Sequence, residues 1–188
     1  MIVFIDGLSG LGKTTLINNL LAANPDWTVF KGLGAVNVAF KEQGQQYNFA
    51  KHQIMSRFDE CNSFNKVILW DRGLSEPIYS KDPFYVSEIT RVIRSHYKAI
   101  AILLTTDSPN EYAQILSNKD TSGFTHKEGN LYGERWQLYN RIVSGMNHHR
   151  VNLTAEQPYP SNDEVIKIQQ FIEDKLVNME SRSNYRNG

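Results

Sequence analysis

This chain of 188 residues has a single cysteine, Cys61, and no excess of either charge, with 20 Lys and Arg against 20 Asp and Glu. One cysteine excludes an internal disulfide framework and suits a reducing compartment. The charge balance argues against a protein living on duplex DNA, whose affinity comes mostly from neutralised phosphates. Long apolar runs are missing as well. None approaches the ~20 residues that a membrane span needs. The apolar N-terminal run is short, has no basic residues before it and leads straight into glycines, which describes a buried strand and not a signal peptide. No repeat or linker divides the chain. The expectation is one well-buried, cytoplasmic, enzyme-sized domain with no membrane partner.

What is present is an alternation of strands and helices. Ile2 to Asp6 reads as a buried parallel strand. Thr14 to Ala23 carries Leu16, Ile17, Leu20 and Leu21 at helical spacing, and Asn24-Pro25 stops it. Further strands are expected at Trp27–Phe30, Val67–Trp70, Ala99–Leu104 and, weakly, Val151–Leu153. Helices are expected across the polar stretch Val38–Asn62, and at Val86–Tyr97, Asn110–Ser117 and Leu131–His148. A last helix is capped by Ser161, with Asp163 and Glu164 in its first turn. Residues 74–84 hold two prolines and read as a loop. Such alternation predicts an α/β fold, three-layered α/β/α, with a five-stranded parallel sheet and right-handed crossovers. The expected domain is 1–178, including a glycine-punctuated lid at about 117–131, followed by a flexible tail, 179–188.

The most specific stretch is Gly7-Leu8-Ser9-Gly10-Leu11-Gly12-Lys13-Thr14, which fits G-x-x-x-x-G-K-[ST] at every fixed position. It also sits where that motif must, after a strand and before a helix. The glycines let backbone N–H groups turn inward, and the new helix adds its positive end. Gly7, Ser9, Gly10, Gly12, Lys13, Thr14 and Thr15 are therefore the candidate triphosphate cradle. Lys13 is expected on the β- and γ-phosphates, Thr14 on Mg²⁺ and Thr15 on the α-phosphate.

Two GTPase signals are decoys. The run Asn118-Lys119-Asp120-Thr121 has threonine where N-K-x-D requires aspartate, and Asp71-Arg72-Gly73-Leu74 has leucine where D-x-x-G requires glycine. A motor ATPase needs a larger core. A kinase needs only an acceptor pocket, a charge beside the migrating phosphoryl and a lid. Here "ILWDRGLS" delivers Asp71 and Arg72 to the carboxyl end of a strand, where parallel sheets place their ligands.

Taken together, "FIDGLSGLGKTT", a strand-ending "DRGLS" and a downstream "YGERWQLYNRI" resemble the thymidylate kinase and deoxynucleoside kinase group of P-loop kinases, in core order along the whole chain. The resemblance implies that Arg72 contacts the transferring or acceptor phosphate. Asp71 would hold Mg²⁺ through water or bind the acceptor, making Lys13, Asp71 and Arg72 the catalytic set, with Thr14 and Asp71 toward the metal. It places Arg57 at an acceptor-phosphate position, fourteen residues before Asp71. Lys31 stands where the group carries the arginine of R-x-P-G-G, and Trp70 is the aromatic candidate for an acceptor base. Lys119, Lys127 and Arg135 are the candidate cations of the lid. The chain departs from the group in having Ser9 where an acid is usual, "FKGLGAVN" in place of R-x-P-G-G, and no glutamate at the second strand's end. His148-His149 are neighbours that do not share a helix face, and they read as surface or helix-end residues rather than a metal pair.

The implied function is an ATP- and Mg²⁺-dependent phosphotransferase acting on a small-molecule nucleoside monophosphate or nucleoside in deoxynucleotide metabolism, with a homodimer allowed. Two alternatives stay open. One is a kinase acting on a hydroxyl of DNA, a nucleic-acid acceptor that would need a basic groove from Lys31, Lys41, Lys51, Arg57 and Lys66. The other is a regulatory P-loop ATPase.

Overall fold

The computed structural model describes residues 1–31, 52, 55–60, 66–74, 83–96, 98–118 and 132–186, without the side chains of 31, 83–86, 89 and 180–186. Five strands are described: β1 (Ile2–Gly7), β2 (Thr28–Lys31), β3 (Ile68–Asp71), β4 (Ala99–Thr105) and β5 (Asn147–Asn152). The helices that carry the argument are α1 (Lys13–Ala23), α2 (Pro83–Ser95), α3 (Pro109–Asn118), α4 (Tyr132–Val143) and α5 (Asn162–Arg186). The strands form one sheet in the order β2-β3-β1-β4-β5, and every neighbouring pair is parallel. Helices cover both of its sides, as an α/β layer architecture requires.

The composition of the strands explains their places. β1 and β4 are buried along their whole length, which suits the unbroken apolar runs IVFI and AIAILL at the sheet centre. β5, with the sequence NHHRVN, is mostly exposed or half-buried and takes an edge. β1 feeds β2 on one side of itself, passing β3, while β3 feeds β4 on the other side, passing β1. Connections therefore diverge at the β1–β3 pair, where α/β sheets open a crevice beyond the strands' carboxyl ends. The register there runs Lys31, Asp71, Ile5, Ile102, His149 across the sheet.

Three helices depart from the sequence expectation by more than one residue. The helix expected through His148 ends at Val143, because 147–152 is drawn into β5 by pairing with Ile100 to Thr105. Arg94 from α2 closes that helix end, donating to the carbonyls of Ile142 (3.1 Å) and Arg141. α2 begins at Pro83 rather than Val86, with proline in the first turn, where its missing N–H costs nothing. α5 starts where its cap predicts, with Ser161 Oγ accepting the Glu164 N–H at 3.2 Å, but it continues to Arg186 through residues read as a tail.

Candidate functional site

The glycine loop leaves the carboxyl end of β1 and closes on α1. Gly7 has φ 132, and a Cβ there would lie 2.0 Å from the Leu104 carbonyl oxygen of neighbouring β4. No other residue fits that close approach. Gly12, at φ 78, is the N-cap of α1 and supplies no side-chain cap, and the helix has no acid in its first turn. An anion placed here would thus meet the backbone donors and positive end of α1 with no side-chain cap or first-turn acid in the way. Leu8 and Leu11 anchor the loop in the core. Tyr112 of α3 donates from its hydroxyl to the Ser9 carbonyl at 2.9 Å and braces the loop from the far side.

Lys13, at the first position of α1, is buried, and its ammonium donates to the carbonyls of Gly7 (3.0 Å) and Leu8 (2.8 Å). A lysine folded across its own loop holds its charge at the centre of the cradle. Thr14 and Thr15 follow on the exposed side of the first turn. The ring of Tyr159, on the connection from β5 to α5, lies against Gly12, close enough that a Cβ there would meet it at 2.7 Å. Tyr159 is 44 % exposed, a large aromatic residue at the mouth of the loop.

Asp71 and Arg72 stand beside this loop. Asp71 pairs in register with Ile5, and the Arg72 N–H donates to the Ile5 carbonyl at 3.1 Å. Arg72 has φ 62, left-handed backbone that a non-glycine residue adopts only when its surroundings impose it. Its guanidinium is exposed, with Nε 3.9 Å from Asp71 Oδ1. That carboxylate oxygen is buried and has no hydrogen-bond partner among the described residues. A carboxylate oxygen in this condition beside a phosphate cradle is the ligand type that Mg²⁺ takes, so the donor set fits a magnesium nucleotide.

Other expected site residues lie elsewhere. Trp70 is fully buried, 5.5 Å from Phe4 and edge-on to Phe30 at 4.8 Å between ring centroids, so it is core rather than a platform for an acceptor base. Arg57 lies over the ring of Phe30 at 4.1 Å and pairs with Glu60 at 2.6 Å, near the β2 edge of the sheet. Lys31 ends β2 beside Asp71 in register. Arg135 is buried on the inner side of α4 with Tyr132 and Tyr139. Lys119 and Lys127 lie outside the described residues, as do most of 117–131. His148 and His149 are strand residues of β5 and not helix-end ones; His149 Nε2 pairs with Glu164 Oε1 at 2.8 Å.

The structure also shows residues that the sequence reading passed over. Asp6, the one acid in an apolar strand, is completely buried. Its Oδ1 accepts the Gly7 N–H (3.0 Å) and the Tyr139 hydroxyl (2.8 Å), while its Oδ2 accepts the Leu74 N–H (2.6 Å). The signal was an ionisable residue in a run otherwise apolar, since a buried carboxylate must be matched by donors.

A glycine loop closed on a buried lysine, between the central strand and a glycine-capped helix of a β2-β3-β1-β4-β5 parallel sheet, gives the chain the fold of the P-loop kinases. No family model matches the sequence, and no curated protein matches it either. Solved structures do match in fold. The YorR protein of Bacillus subtilis, in complex with phosphorylated GDP, is 18% identical at a TM-score of 0.59, over 97% of this chain and 98% of its own. The deoxyadenosine kinase of M. mycoides with bound dATP is 17% identical at a TM-score of 0.55, covering 92% and 99%. Polyphosphate Kinase 2 from Arthrobacter aurescens TC1 is 11% identical at a TM-score of 0.61, covering 95% and 68%.

Proposed function

We propose that this chain is an ATP- and Mg²⁺-dependent phosphotransferase that moves the γ-phosphoryl group to a nucleoside monophosphate or nucleoside, in the manner of the thymidylate kinase and deoxynucleoside kinase group. The observation that carries the reading is the pairing of the Lys13 loop with Asp71 and a left-handed Arg72 on the adjacent strand end. A phosphate cradle alone serves hydrolysis or signalling as well as transfer. A cradle flanked at the sheet's crevice by an exposed guanidinium and a buried carboxylate oxygen that accepts no hydrogen bond from the described residues has what transfer needs on its acceptor side. Nearly full-length likeness to a deoxyadenosine kinase supports the same direction.

In this reading the loop's backbone donors and Lys13 hold the β- and γ-phosphates, and the α1 N-terminus adds its positive end. An acceptor oxygen, of a monophosphate or of a nucleoside hydroxyl that releases its proton to solvent, forms a bond to the γ-phosphorus as the bond to the bridging oxygen breaks, and ADP leaves with that electron pair. Arg72 holds charge that develops on the migrating group, an interaction strongest in the transition state. Thr14 and Asp71 would hold Mg²⁺, which when bound neutralises charge on the phosphates. Tyr159 offers a face on which the donor base stacks, and Lys31 and Arg57, at the β2 side of the sheet, are the residues assigned to the acceptor. The lid cation comes from Lys119, Lys127 or Arg135.

The test is transfer from γ-labelled ATP with Mg²⁺ to a panel of nucleosides, nucleoside monophosphates and DNA bearing hydroxylated bases or free strand ends. Label on a monophosphate or nucleoside supports the proposal. Label on DNA alone replaces it with nucleic-acid modification, and label only as free phosphate replaces it with an ATPase.

A further inference from the structure

The left-handed turn that presents Arg72 is not held by its own sequence. Arginine has no intrinsic preference for φ 62, which costs an L-residue about 1–2 kcal/mol. Its side chain is exposed, so packing of that side chain does not impose the conformation. Two hydrogen bonds to β1 do. On the near side, the Arg72 N–H reaches the Ile5 carbonyl (3.1 Å); on the far side, the Leu74 N–H reaches Asp6 Oδ2 (2.6 Å). Leu74 is itself fully buried and anchors the turn's exit.

Asp6 does more than accept from the turn. Its other oxygen takes the N–H of Gly7, the first residue of the phosphate loop, and the hydroxyl of Tyr139 from α4. Tyr139 also lies 3.1 Å from the Gly7 carbonyl, but its single proton goes to the nearer, charged acceptor. One buried carboxylate therefore joins three separate pieces of chain: the start of the donor cradle, the turn bearing Arg72, and the helix carrying Tyr139. Charge-assisted bonds are short and directional, so rotation of this carboxylate would move the turn relative to the loop.

We propose that Asp6 and Tyr139 are positioning residues for Arg72: the Asp6 carboxylate, oriented by Tyr139, sets the guanidinium-bearing turn at a fixed place relative to the phosphate loop. This rests on the kinase reading given above and extends it to residues that touch neither donor nor acceptor. Asp6→Asn separates the roles well. An amide keeps the volume but puts an N–H₂ against the N–H of either Leu74 or Gly7, a donor facing a donor. Tyr139→Phe removes one hydroxyl and leaves the ring packed.

The experiment measures three quantities on the full chain: kcat with the acceptor found in the panel, affinity for Mg²⁺-ATP, and hydrogen exchange of the Leu74 amide. Asp6→Asn is expected to lower kcat by about 30-fold or more with less than a threefold change in Mg²⁺-ATP affinity, and to speed Leu74 exchange by about 100-fold, the scale of a buried charge-assisted bond lost. Tyr139→Phe is expected to show the same split at about three- to tenfold in kcat. Loss of kcat and ATP affinity in equal proportion would make Asp6 a builder of the loop only and overturn the proposal, as would an unchanged Leu74 amide. If Asp6→Asn does not fold, Tyr139→Phe carries the test alone, and its retaining full kcat overturns the proposal. Lys13→Ala keeps the two readings apart. Full turnover in that variant removes the kinase site itself, whereas a dead Lys13→Ala beside a fully active Asp6→Asn removes only the positioning role.

Discussion

Lys13 and Arg72 make opposite bargains with stability. The Lys13 ammonium is buried and bonded to two loop carbonyls, so it contributes to the loop as well as to the proposed chemistry. Lys13→Ala is expected to lower kcat by about 10²–10³-fold, the range for removing one preorganised charge-stabilising donor. Circular dichroism should show the fold retained. Arg72 is exposed and strained, so its replacement by glycine should relieve the backbone. We expect Arg72→Gly to raise stability by about 0.5–1 kcal/mol, the left-handed penalty less glycine's added chain entropy. That corresponds to a Tm higher by about 2 °C for a chain of this length, while kcat falls with little change in KM. A Tm that falls, measured by calorimetry, would show that the turn is unstrained. Strain kept at a residue whose removal stabilises the fold is a mark of a functional position.

At the level of elements, the β1–β3 pair does most of the positioning. Gly73 follows Arg72 against the paired rings of Phe4 and Trp70, where a Cβ would meet Phe4 at 2.5 Å and Trp70 at 2.9 Å. Both rings are fully buried and have no room to move. Gly73→Ala should therefore destabilise by about 1–3 kcal/mol, the usual cost of overpacking a close-packed core. Urea unfolding would show this as a lower midpoint at an unchanged slope. The same packing explains the correction at Trp70. Its place one residue before Asp71 pointed to the crevice, but side chains alternate along a strand and Trp70 faces the Phe4 and Phe30 layer. β5 illustrates the reverse. NHHR has no strand pattern, and only the free edge of β4 makes it one.

Across the whole molecule, His96 gives stability a pH dependence. It stacks on buried Phe58 with ring centroids 3.5 Å apart, and burial pulls its pKa below the usual 6.5, with the nearby Asp59 carboxylate pulling the other way. Between the folded value and 6.5 the unfolded chain binds more protons, so stability rises with pH through that window and is complete above it. Tm should hold above pH 6.5 and fall as pH is lowered below it, and His96→Phe should flatten that part of the curve; an unchanged slope in the variant would assign the dependence elsewhere. Much of the architecture was legible beforehand for a local reason. A glycine loop between an apolar strand and an amphipathic helix is set by backbone geometry and short-range periodicity, and so is the parallel α/β alternation around it. The place of Asp71 and Arg72 at the end of β3 was legible too, because an apolar strand must end where its charges begin. The bonds of Asp6 were not: Leu74 lies 68 residues away and Tyr139 lies 133 away. Chain order alone cannot say which distant donors will meet a buried carboxylate. Only the closed sheet, with α4 packed beside β1, brings those donors within hydrogen-bonding distance, and thereby decides how Arg72 is presented.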